Sequence, residues 1–199
     1  MPEAPSARTT VRRHAERGRY DDASIDEVLA EAIVAHVGVV TDHGPVVLPM
    51  AFGRIGSTLY LHGAAGNALL KAAEGAPVCA TITILDGLVL ARSAFSHSMN
   101  HRSLVVYGTG RTVTDPDEAR RALDAIVDHT VPGRSLEARP PTDAELRQTR
   151  VLALELGEAS AKVRTGGPLD KEEDLALDVW AGVIPITTVR GEPVRDGAA

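Results

Sequence analysis

Between residues 35 and 163 the chain is cut into short runs rich in Val, Ile, Thr and Leu, each closed by Gly, Pro or Asp, with no regular succession of helices between them. Runs of this length and composition are strands, here at 35–41, 46–54, 58–63, 78–85, 87–94, 103–113 and 151–163. A doubly wound parallel sheet needs strand and helix in alternation, so it is excluded. What remains is a mainly β domain: about six antiparallel strands closed into a small barrel, with helices at its periphery. Asp86-Gly87, between two apolar runs, predicts a hairpin turn, and Asp42-His43-Gly44-Pro45 predicts another.

The helices are few. Ser24 with Glu27 forms a capping box, and Ile25, Val28, Leu29, Ala32 and Ile33 follow at helical spacing, which predicts a helix over 24–35. A short helix is expected over 67–74. Asp115-Pro116-Asp117-Glu118 supplies an N-cap, a proline in the first turn and a reciprocal glutamate, starting a helix that runs to about 128. Thr142 with Glu145 starts a last short one. Residues 1–20 carry Pro, Ser, Thr and five arginines without an apolar period, and read as a flexible arm. The barrel domain then covers 21–165. Residues 166–199 form a C-terminal extension, acidic from Asp170 to Asp174, with one apolar knot around Trp180 that packs on the barrel or on a partner subunit.

Composition narrows the function classes. A chain of 199 residues can bury a sizeable core without disulfides. Cys79 is the only cysteine, which excludes a disulfide framework and a multi-cysteine metal site. The net charge of −6 argues against a general nucleic-acid binder. No apolar run approaches a membrane span and no signal-peptide core is present, so a cytoplasmic protein is expected.

Two stretches are chemically dense. In Leu59-Tyr60-Leu61-His62-Gly63-Ala64-Ala65-Gly66-Asn67 a strand ends in small residues and a helix begins, with Lys71 one turn in. Small side chains let a ligand approach the backbone, and free helix amides suit an anion. The second stretch, 91–103, packs Arg92, Arg102, His97, His101, Asn100 and four serines between apolar strands. Alternation turns some of these inward, where they need partners; a phosphate or a polar heterocycle supplies them. His97 and His101 stand four apart but run from a loop into a strand without a third ligand, so no metal site is expected. Cys79 lies in an apolar run and reads as core. Trp180 is a lid on the barrel or an aromatic platform for a ligand or partner.

These stretches, with His97-Ser98-Met99-Asn100-His101-Arg102-Ser103, Ala159-Ser160-Ala161-Lys162-Val163-Arg164 and Val179-Trp180-Ala181-Gly182-Val183, resemble the pyridoxamine 5′-phosphate oxidase-like, FMN-binding split-barrel superfamily. Similarity is greatest to the flavin-nucleotide-binding branch that includes nitroimidazole-resistance proteins. The resemblance implies a six-stranded antiparallel split barrel that forms a homodimer, with FMN at the subunit interface. It places the flavin phosphate near Gly63, Ala64, Asn67 and Lys71 and against Arg102 and Ser103, with Asn100 close by. The isoalloxazine is expected along Pro49, Met50 and Ala51, with Lys162 and Trp180 approaching from the partner chain.

The function expected is that of an oxidoreductase, in which reduced flavin passes electrons or hydride to a small oxidant such as a nitro or quinone compound, oxygen or a pyridoxal-like molecule. His62 and His97 are the candidate proton relays, since imidazole titrates near neutrality. A non-catalytic flavin sensor is the alternative. So is a barrel that holds haem or a deazaflavin instead, with His97 or His101 as the haem ligand.

Overall fold

A computed structural model describes residues 2–197. Ten strands are present: β1 (Gly18–Arg19), β2 (Val34–Thr41), β3 (Gly44–Ile55), β4 (Thr58–Ala64), β5 (Pro77–Leu90), β6 (Ser98–Thr109), β7 (Arg111–Thr112), β8 (Thr149–Glu155), β9 (Glu158–Arg164) and β10 (Gly182–Pro185). The α-helices are α1 (Asp22–Glu31), α2 (Ala68–Ala72), α3 (Pro116–Thr130), α4 (Arg134–Glu137) and α5 (Asp143–Arg147). The chain divides into two compact units. One holds the residues up to Ile84 and those from Arg102 to Val163; the other holds Leu85 to His101 and the chain from Arg164 onward.

In the first unit the strands follow the path β1-β9-β6-β5-β2-β3-β4-β8-β7. Because β7 continues β6 after one residue, the path returns on itself and closes a barrel. β3 pairs with β2 as far as Ala51 and then with β4 from Phe52, so one strand serves both halves of the split barrel. Alternation turns Val37, Val39, Phe52, Ala80, Ile82, Leu104 and Val106 into the core, where all are buried. Ile25, Val28 and Leu29 of α1 and Leu69 and Leu70 of α2 complete it. A second apolar layer forms outside the barrel, where Ala122 and Ile126 of α3 meet Tyr60, Val151 and Ala153. Gly53 makes this possible: a Cβ there would stand 2.5 Å from the Ile126 nitrogen.

Five expectations need correction. Helix α1 starts at Asp22, because the Asp21 side chain accepts from the Ser24 amide (2.9 Å) and takes the cap that Ser24 was expected to provide. Glu118 does not turn back to Asp115; it accepts from the Tyr60 hydroxyl (3.0 Å) and pairs with Arg111. Asp86-Gly87 is no turn, since β5 runs straight through it. Glycine stands there because β10 crosses closely: a Cβ on Gly87 would meet the Ile184 carbonyl oxygen and Val183 at 3.0 Å. The run 151–163 is two strands, broken between Glu155 and Glu158, and β6 begins at Ser98, earlier than expected. The capping box of Thr142 and Glu145 and the Asp115 cap are present as expected.

In the second unit, Gly87 to Leu90 of β5 pair with β10. Arg92 donates to Asp170 from its backbone amide and its guanidinium, both at 2.8 Å. Asn100 and Arg164 are buried against each other, and Asn100 also donates to the Gly166 carbonyl (3.1 Å). Trp180 rests on Gly182 and is 64% exposed.

Candidate functional site

His62 lies on β4 directly opposite Val151 of β8, two residues beyond Tyr60, so its ring stands on the α3 side of the barrel wall. The ring is half-buried, and its Nδ1 is fully buried without a hydrogen-bond partner. Burial also holds the imidazole below its ordinary value, which favours the neutral ring. A buried nitrogen without a partner costs free energy unless something binds it.

The turn after His62 is tight at one end and open at the other. A Cβ on Gly63 would meet Leu70 at 3.0 Å and Asn67 at 3.1 Å, whereas one on Gly66 would meet nothing. The backbone donors here are largely engaged. Ala65 donates to Gln148, Asn67 to Ala64 and Lys71 to Asn67, while the Asn67 side chain accepts from Leu70. Asn67 is therefore a helix cap. Lys71 falls in the last turn of the five-residue α2, where it faces solvent. Among the expected site residues only Asn67 lines the cleft of about 560 Å³ between α2 and the tip of the β2–β3 hairpin.

Pro49, Met50 and Ala51 lie on β3, with Met50 turned into the core and Pro49 and Ala51 outward. Arg102 points toward α1, where its guanidinium meets Glu31 through two nitrogens (2.5 and 2.9 Å) and Glu27 at 3.2 Å. Ser103 and Lys162 are brought together on the outer face of the sheet, the Ser103 hydroxyl donating to the Lys162 carbonyl (3.4 Å). His62, Gly63, Ala64, Asn67 and Lys71 thus form one group at β4 and α2. Ser103 and Lys162 form another at β6 and β9.

The N-terminal arm crosses this second group. Gly18 and Arg19 pair with Lys162 and Ala161, and the Lys162 ammonium donates to the Arg13 carbonyl (3.2 Å). Arg8 pairs with Glu158 and lies 4.9 Å from the centre of the Tyr107 ring. Thr9 is buried. In the other unit, His97 sits at a corner before β6 with Nδ1 donating to the Ser93 carbonyl (3.0 Å), and its ring is exposed. Asn100 is spent on Arg164 and Gly166.

One residue of chemical interest was passed over in the sequence. His36 faces outward on β2, opposite Pro49 of β3 and Thr81 of β5. The phase of 35–41, with Val37 and Val39 inward, already turned His36 out. Its neighbours depend on strand pairing, which the pattern does not disclose.

Residues 21–163 match the pyridoxamine 5′-phosphate oxidase family. Flavocytochrome Anf3 from Azotobacter vinelandii is 41% identical, with a TM-score of 0.94 over 98% of this chain and 92% of that one. The FAD and haem binding protein from Mycobacterium smegmatis is 40% identical, with a TM-score of 0.86 over 91% of this chain and 89% of that one. A candidate 5-nitroimidazole antibiotic resistance protein from Bacteroides thetaiotaomicron is 27% identical, with a TM-score of 0.61 over 73% and 86% of the two chains. No curated protein matches the chain.

Proposed function

The chain belongs to the pyridoxamine 5′-phosphate oxidase family, and from that premise we propose that it is a redox protein binding a flavin nucleotide and a haem, which passes electrons to a small oxidant. Support for the pair of cofactors comes from two relatives at about 40% identity, one a flavocytochrome and one a protein that binds FAD and haem. The observation that carries the haem half is the half-buried His62 ring, whose Nδ1 is sealed in the wall and leaves Nε2 as the ring nitrogen to meet an iron. A neutral imidazole among Val151, Tyr60 and small residues offers a nitrogen lone pair in an apolar wall, which is what an iron porphyrin requires of a protein. His97 is the weaker candidate, because its ring stands in solvent, although the Ser93 carbonyl fixes its tautomer and turns Nε2 outward. His101 is set in β6.

The flavin half rests on the outward face. Pro49 gives an exposed, weakly polar strand position for a ring system, Ala51 beside it being packed against the α3 layer, and Ser103 and Lys162 stand along the same sheet with the basic arm beside them. Lys71 faces solvent at the His62 turn, away from Ser103 and Lys162, and Arg102 reaches a phosphate only by leaving Glu27 and Glu31. When bound, flavin supplies two-electron and haem one-electron chemistry. The protein's part is to hold them, to exclude water and to keep His62 neutral. We infer a homodimer as the working form, because Val40 and Val47 leave the outer sheet face apolar and exposed.

Reconstitution of the purified chain with haem b tests this reading. Wild type should show a Soret band and bind flavin. His62→Ala should lose the Soret band and keep flavin binding, while His97→Ala keeps both. A Soret band that survives in His62→Ala refutes the assignment.

A further inference from the structure

The arm and the sheet face beneath it enclose a second cleft, of about 310 Å³. Its floor is Gly38 on β2 and Cys79 on β5, which are paired in register. Pro45 and Val47 wall one side and Tyr107 the other, and Arg8 covers it from the arm. The depth comes from Gly38, the residue in the outward row of β2 that has no side chain. Glu158 holds the Arg8 guanidinium in place against the Tyr107 ring.

Resting on the flavin-binding reading above, we propose that this cleft takes the adenine ring of FAD, and that the arm thereby makes the protein prefer FAD to FMN. A purine is flat, apolar on both faces and edged with ring nitrogens. Apolar walls receive its faces, and a guanidinium both stacks on it and donates to its edge. Next along the arm come Arg12 and Arg13, both exposed, with the Arg13 carbonyl fixed by Lys162. Their charge suits the diphosphate that joins the two halves of FAD. FMN has neither an adenylate nor a second phosphate, so it gains nothing from Arg8 or the cleft.

The experiment titrates the full-length apoprotein with FAD and with FMN in parallel, following quenching of flavin fluorescence. Wild type should bind FAD at least about tenfold more tightly than FMN, the worth of one charge-assisted contact. Arg8→Gln should bring FAD affinity down to that of FMN and leave FMN unchanged. Gly38→Val should do the same by filling the floor without touching the arm. A Cβ there meets the Cys79 carbonyl oxygen at 3.5 Å and Val47 at 3.6 Å, so the strand accepts it. Thermal midpoints show that both variants fold. Equal affinity of wild type for FAD and FMN overturns the proposal. So does an FAD preference that survives both substitutions, or tighter FAD binding once Arg8 is removed, which would make the arm an obstruction. A wild type that binds neither nucleotide overturns the flavin reading itself, an outcome distinct from these.

Discussion

Burial sets the behaviour of the His62 ring before any ligand arrives. Its folded value lies below the ordinary 6.5 because the charged form is desolvated. The unfolded chain therefore takes up a proton first. Stability supported by the neutral ring is complete above the unfolded value and declines as pH falls from about 6.5 toward the folded value. His62→Leu should flatten that part of the stability profile, measured as urea midpoints across the range; an unchanged slope refutes the assignment. Gly53 offers a steric prediction at the same scale. Gly53→Ala pushes a methyl into the α3 backbone and should cost about 1–3 kcal/mol or more, read from denaturant unfolding. The place of His62 at a strand end before a run of small residues was legible in the sequence. The engagement of Arg102 with Glu27 and Glu31 was not, because those partners lie some seventy residues away in the chain.

Among the elements, α5 carries an acid-sensitive cap. Glu145 accepts from Arg139 and from the Thr142 amide and hydroxyl, which lowers its carboxyl to about 2. Because the folded value is depressed, the cap is fully effective above the ordinary 4.5 and is lost as pH falls from there toward about 2. Amide shifts of residues 142–147, followed by NMR, should move in that window, and Glu145→Gln should abolish the transition. At α3, Asp115→Ala removes the acceptor for two amides and should cost about 0.5–2 kcal/mol. These two caps were readable because cap and partner lie within four residues. Ser24 misled because Asp21 competes for the same amide from three residues upstream. Asp86-Gly87 misled because its glycine answers to β10, a strand almost a hundred residues later.

For the whole molecule, the exposed apolar side chains predict association. Val40 and Val47 on the first unit and Phe95 and Trp180 on the second are each more than half exposed. Light scattering at micromolar concentration should show a dimer, and Val47→Glu should shift it toward monomer. A wild-type monomer removes the support for a shared interface. A small antiparallel barrel with peripheral helices was legible in composition and punctuation, and its split form in the family resemblance. The division into two units was not, because it cuts through the middle of β5 and β6, where the sequence shows no break.

The pairing of β1 with β9 ties the beginning of the chain to a strand near its other end. During synthesis the arginines of the arm have nothing to dock on until residues 158–164 have emerged. Loop closure over such a span is among the slowest contacts a chain forms. Through that interval the barrel strands can already pair while the arm stays open to solvent and to proteases. The arm is made well before the strand that receives it.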